Sequence, residues 1–465
     1  MSTLTEAVAK ADAEPESNAD PEAGDDSPQR KTTTTLTGIN LEALRRDAVH
    51  IDWSVVIDAD RIDVKVQEFQ RLIFQLYDAH APIKKIRLRH APAPWITQDI
   101  RDAMLKRDSA KRRYNKCSSD INLGRYKYWR NFCSRLCRDA RRRHIHNSIV
   151  GSSPAKTWSF LRSLGIGKTS NSFSGSVDLN ALNVHFSSVP VTLDASVKAR
   201  TLGHLNDQPR PLCSSFQLTT VAEEDVKKHI LAITSTAVGN DDISSRMISL
   251  LLPQLLPILC HIFNYSLVNS CFPSAWKRAN IIPLPKVSNP TSFSNFRPIS
   301  LLPYLSKVLE HIVHNQLSSY LTSNSLLSPF QSGFRSGHST VTALLKVTDD
   351  IRLAMEDKSL TILTLLDFSS AFNSVDFDVL LAILRSLNVS PLALAWFESY
   401  LRGRSQRIHS DDVSSDWCDL GAGVPQGGVL NILFDVSEII VYKATGIVFT
   451  IIDVNCFNEA GVMDL

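Results

Sequence analysis

No apolar run in this 465-residue chain reaches the roughly 18 residues that a membrane-crossing helix requires. The most apolar stretch, 250–263, is broken by Pro253, Gln254, Pro257 and His261. The opening MSTLTEAVAKADAEPESNAD lacks the apolar centre of a secretory signal. Cysteine has no pattern: the eight residues at 117, 133, 137, 213, 260, 271, 418 and 456 repeat no spacing, which argues against a disulfide scaffold and for a reducing compartment. Internal repeats of about 20–50 residues, the mark of solenoids and propellers, are also missing. These absences predict an intracellular protein of the cytoplasm or nucleus, neither secreted nor partnered with a membrane. What remains is ordinary globular usage, 43% hydrophobic and 21% charged, enough for more than one core.

The net charge of +3 is small, but it conceals strong segregation. Residues 1–30 carry eight acids against Lys10 and Arg30, among Ala, Pro, Ser and Thr. Such a segment has too little apolar surface to order itself, so 1–37 reads as a disordered acidic tail. Residues 101–143 are the opposite, with fifteen Lys or Arg against four Asp and no proline. Tyr114, Tyr126, Tyr128, Trp129, Phe132 and Leu136 interleave with the cations. The spacing of Trp129, Phe132, Leu136 and Ala140 predicts a helix, and the whole stretch reads as two helices joined near Ser118–Gly124. So many uncompensated cations repel one another unless a polyanion neutralises them. Arg112, Arg113, Arg130, Arg141, Arg142 and Arg143 are therefore candidate phosphate contacts, giving affinity for nucleic acid without sequence specificity. A merely solvated helical face is the alternative. Cys133, Cys137, His144 and His146 do not match a common zinc-finger spacing, and no zinc site is expected.

Periodicity predicts a helix over 63–80, within a helical basic region 38–165. A Ser/Gly-rich linker is expected over 166–217. A helical extension over 218–278 opens with Glu223 and Glu224 in a first turn and continues through an apolar helix at 247–268. From 279 to 431 strands and helices alternate: a strand at 279–283, helices at 302–321 and 339–355, a strand at 360–366, then helices at 377–388 and 392–401. This is an α/β (α+β) pattern with a mixed sheet. The tail 432–465 stands apart from it.

Two features in that last block carry chemistry. Asp367 directly follows an apolar strand in LTLLDFSSAFNSVD, where a carboxylate is costly unless it is hydrogen-bonded, exposed or bound to a cation. Downstream, GAGVPQGGVL places Gly421, Gly423, Gly427 and Gly428 around Pro425 and Gln426, a loop suited to close approach of backbone to a ligand.

The order of IIPLPK (281–286), NFRPISLLPYLSKVLE (295–310), LSPFQSGFRSGHSTVTALL (327–345), LLDFSSAFNSVD (365–376), LAWFESYLRGRSQR (394–407) and GVPQGGVL (423–430) resembles the reverse transcriptases of jockey-like non-LTR retrotransposons. The resemblance is close over 279–431 and weaker over 219–278, where VGNDDIS takes the place of the family's Gly-Pro-Asp-Gly-Ile turn. Residues 60–165 resemble the connector between endonuclease and polymerase in such elements. The resemblance implies the fingers and first part of the palm of a polymerase right hand. It implies Mg²⁺ on Asp367, an RNA template, a DNA primer and deoxynucleoside triphosphates. It places Phe372 under the sugar of the incoming nucleotide and Gln426 and Gly427 along nucleotide and template. Lys286 and Arg297 would hold the triphosphate, with Arg335 on the same finger surface.

The sequence also departs from the family. Ser370 and Asn373 stand where Lys and Asp are usual. After Leu430 the resemblance stops, and no aromatic-Ala-Asp-Asp motif follows the Pro-Gln-Gly loop. One carboxylate does not hold the two Mg²⁺ ions that in-line displacement needs. The sequence therefore predicts a polymerase of this family truncated within the palm, without a complete catalytic site. The alternative is a non-catalytic RNA- or single-stranded-DNA-binding protein derived from a mobile element.

Overall fold

The structure, a computed structural model, describes residues 39–82, 93–164, 178–188, 194–287, 290–327, 331–333, 335, 337–359, 361, 363, 371–410 and 413–430. The acidic tail 1–37, the expected strand 360–366, Asp367 and the tail 432–465 lie outside or almost wholly outside them. The chain forms two compact units, one containing 83–176 and the other containing 36–82 and 177–465.

The first unit is a helical hairpin. Helix Gln98–Lys116 and helix Asp120–Ile149 pack along each other, and helix Pro154–Ser163 packs on the second. The joint is shorter than the sequence suggests. Ser119 caps the second helix by accepting from the Asn122 N–H, and Gly124 lies inside that helix. Among the described residues of this unit only Ile100, Ala103, Ala110, Cys133 and Ala140 are buried. Small side chains let the two helices approach closely but bury little apolar area, so packing stabilises the hairpin weakly.

The second unit holds a mixed sheet and one continuous core. Strands β1 (Arg278–Pro285), β2 (Phe296–Leu301), β3 (Arg404–Ser410) and β4 (Val413–Ser414) lie in the order β2-β1-β3-β4, and β5 (Cys418–Leu420) also pairs with β3. Among these described strands only the β1–β3 pair is parallel. Helices Ile62–His80, Leu252–Val268, Tyr304–Ser323, Phe377–Ser386 and Pro391–Leu401 bury their apolar faces in one cluster centred on Phe69, Phe263, Leu309, Leu380 and Trp396. Asp376 caps the fourth of these by accepting from the Asp378 and Val379 N–H groups. Among the described residues no helix is long and apolar enough to cross a membrane.

Two domain boundaries need correction. Residues 39–82 do not belong with the basic hairpin: Tyr77 donates to the Met247 carbonyl at 2.8 Å, and Lys65, inserted beneath the Tyr265 ring, donates to the Val56 carbonyl at 3.0 Å. Nor is 166–217 simply a linker. Its described part contains helices Leu179–Ser187 and Ala195–Asp207, capped by Asp178 and Asp194, with Leu182, Asn183, Phe186 and Leu205 buried. The Phe216 N–H and C=O bond to Asn388 and Ser390. Those partners lie far along the chain, which is why local composition alone reads the segment as loop.

Candidate functional site

The glycine-rich loop after β5 is seated on three elements. Gly423, with φ +83°, donates to the Val375 carbonyl, and Val424 donates to that of Phe372, both at 2.9 Å. A Cβ at Gly423 would stand 2.9 Å from the Asn373 Cα, so no other residue fits this approach to the turn Ala371–Ser374. Gly427, with φ +116°, lies equally close to β2, where a Cβ would meet the Ser300 carbonyl oxygen at 2.9 Å. There the Ser300 N–H donates to the Gln426 carbonyl at 2.7 Å.

The third support is Glu310. Its carboxylate is fully buried in helix Tyr304–Ser323, accepting from the Ser306 hydroxyl and from the Val429 N–H, each at 2.8 Å. Lys307, whose own pKa burial pushes down and Glu310 pulls back up, is a neighbour in the same helix. Complete burial, reinforced by the Glu310 charge, drives the Tyr400 phenol far above its ordinary range, while the Arg404 cation acts in the opposite sense. Arg404 is itself buried, donating to the Tyr400 carbonyl at 2.8 Å and lying over the Tyr400 ring. Anion, phenol and cation thus form a fixed polar layer beneath the loop.

The loop leaves a depression lined by Pro298, Ser300, Asn373, Gln406, Ala422 and Gln426. Phe186 and Ser187 complete its wall from helix Leu179–Ser187. Asn373 donates its side-chain amide to the Phe186 carbonyl at 3.3 Å, a bond that needs a donor at this position.

The expected site residues divide into groups. Gln426, half-buried, and Gly427 are on the loop, and Phe372 is half-buried in the turn that seats it. Lys286 and Arg297 sit on the β1–β2 hairpin, with Arg297 opposite Leu284. Arg297 alternates with Pro298 and lies off the depression, as does Arg335, whose carbonyl accepts from the His338 N–H. Arg112, Arg113, Arg130, Arg141, Arg142 and Arg143 are all exposed on the hairpin of the first unit. Two contributors escaped the sequence reading. Glu310 stood inside a matched motif as an ordinary helical acid, and Phe186 lay in the presumed linker. Asp367 lies outside the described residues, among which no group of three His, Cys, Asp or Glu is arranged to hold a metal ion. Asp376 and Asp378, the carboxylates nearest in sequence beyond the turn, are both held by the Lys198 ammonium, at 2.8 and 2.7 Å.

Residues 284–434 match the family model for reverse transcriptase (RNA-dependent DNA polymerase). The chain is 36% identical over 222 residues to the RNA-directed DNA polymerase from mobile element jockey of Drosophila melanogaster, covering 47% of this chain and 24% of that protein. It is 31% identical over 228 residues to the probable RNA-directed DNA polymerase from transposon BS of the same species, covering 49% and 25% respectively. The jockey protein of Drosophila funebris gives 34% over 225 residues, covering 47% and 24%. The chain spans about a quarter of the length of the curated relatives it matches.

Proposed function

We propose, for a chain whose 284–434 segment is a reverse-transcriptase segment of the jockey-like non-LTR type, that it holds nucleic acid and nucleotide for a polymerase without completing catalysis alone. Residues 279–431 correspond in this reading to fingers and the first part of a palm, acting inside the cell on an RNA template and a DNA primer. The observation that supports it is the loop Gly423–Leu430, locked against Ala371–Ser374, β2 and Glu310 so that Gln426 borders an open depression. Rigid backbone beside a half-exposed amide suits contact with a nucleotide whose position must be fixed. Lys286 and Arg297, on the adjoining β1–β2 hairpin but outside the lining of the depression, are the cations that would meet a triphosphate extending beyond it.

The family's chemistry uses Mg²⁺, and Asp367 is the residue that would hold it here. The described carboxylates do not complete such a site, because Asp376 and Asp378 are committed to Lys198 and Glu310 to the loop. The sequence after Gln426 brings no paired aspartates. Primer extension on a primed RNA template with Mg²⁺ tests this directly. No product is expected from the 465-residue chain, while RNA binding persists. Template-dependent extension that Asp367→Ala abolishes would overturn the reading and place a further metal ligand in the tail.

A further inference from the structure

The outer face of helix Asp120–Ile149 carries an aromatic ladder that phosphate binding does not need. Tyr128 and Phe132, one turn apart, stack with ring centroids 6.1 Å apart and planes within 10°. The Arg135 guanidinium closes the far end, 5.5 Å from the Phe132 centroid. Trp129 braces both rings edge-on, at 5.3 and 5.6 Å, and is itself covered by the Lys106 ammonium from the neighbouring helix at 5.0 Å. The outermost ring, Tyr128, is 62% exposed. It is held in register from below with much of its surface open, among Arg125, Lys127 and Arg130.

We propose that this ladder is a base-stacking platform, and that the hairpin's ligand is single-stranded nucleic acid with unpaired bases. The proposal rests on reading the hairpin as a phosphate-binding element. Charge complementarity selects a polyanion, and the exposed ring narrows the choice. In a duplex the base faces are stacked on one another and only edges and backbone reach a helix surface. A single strand presents every base face, and stacking on an aromatic side chain is tolerant of sequence. Neighbouring cations can then track the phosphates on either side of the stacked base. The guanidinium at the closed end makes the ladder's electron-rich rings better anchored, through a cation–π contact, without occupying the Tyr128 end.

The test uses the full chain and two probes of equal length and charge: an oligothymidylate and an abasic deoxyribose-phosphate strand, each followed by fluorescence anisotropy. The parent should bind the base-bearing strand about tenfold more tightly than the abasic one, in keeping with stacking of one base. Tyr128→Ala should abolish that preference and leave abasic binding and its salt dependence unchanged, while Tyr128→Phe should retain it. Because Tyr128 is mostly exposed, unchanged thermal melting of the variant checks that folding is intact. Equal binding of both strands by the parent overturns the platform while leaving the phosphate-binding reading in place. So does duplex DNA competing as well as the single strand at equal phosphate concentration. Failure of both strands to bind overturns the hairpin reading itself, and the platform with it.

Discussion

At Asp241 burial and charge conflict. Only 5% exposed, its carboxyl is pushed up to about 7, first by burial and further by the neighbouring Asp242 charge, against a pull down from the Ile243 N–H. The folded value lies above the ordinary carboxylate value of 3.8, so the protonated form is favoured in the fold. Stability from this group is full below about pH 4 and is lost as pH rises through about 7, a difference on the order of 4 kcal/mol. Asp241→Asn should therefore flatten the profile, with urea denaturation showing a gain at pH 8 and little change at pH 4. A variant that tracks the parent at both values would show the carboxyl to be solvated. Glu310 makes the complementary case. Glu310→Ala leaves the half-buried Val429 N–H without its acceptor, a cost of about 1 kcal/mol. Amide exchange should accelerate at 427–429 before it does in β1; uniform acceleration would mean only global destabilisation. The tight loop around Gln426 was legible from glycine spacing, whereas the support from Glu310 was not. An acid in a helix reads as solvated until the fold brings a distant N–H to it.

At the scale of elements, periodicity served well where apolar residues recur on a wide face. Helices Ile62–His80, Tyr304–Ser323 and Phe377–Ser386 begin and end close to their expected bounds because each buries such a face. Helix Leu179–Ser187 buries Leu182 and Phe186 together with an asparagine, and that mixed pattern is indistinguishable from loop in the sequence. The asparagine is essential to its docking. The Asn183 amide donates to the Asp416 carbonyl at 2.9 Å and to that of Gln406 at 3.3 Å, and its oxygen accepts from the Gln406 side chain at 3.2 Å. Asn183→Asp replaces a donor with a buried anion, and a loss of roughly 3 kcal/mol is expected. Limited proteolysis should then cut within 178–188 and 194–207 in the variant and spare both segments in the parent. Rapid cutting of the parent there would instead restore the linker reading.

At the scale of the whole molecule, charge and core are kept apart. The second unit has the continuous core and the glycine loop, whereas the hairpin has few buried side chains and most of the surplus cations. The sequence showed that segregation plainly, since it is a matter of counting. It did not show that 39–82 packs with the sheet unit, because an amphipathic helix does not name its partner. Binding by the hairpin needs charge density and no finished active site. The measurement that tests this most directly is the salt dependence of single-stranded RNA binding by the full chain. With about five phosphates neutralised, log K should fall with log salt at a slope near −3.5. Replacing Arg141, Arg142 and Arg143 with Ala should flatten it by about 2, and Asp367→Ala should leave it unchanged. A parent slope near zero, or equal losses from both replacements, would contradict the account.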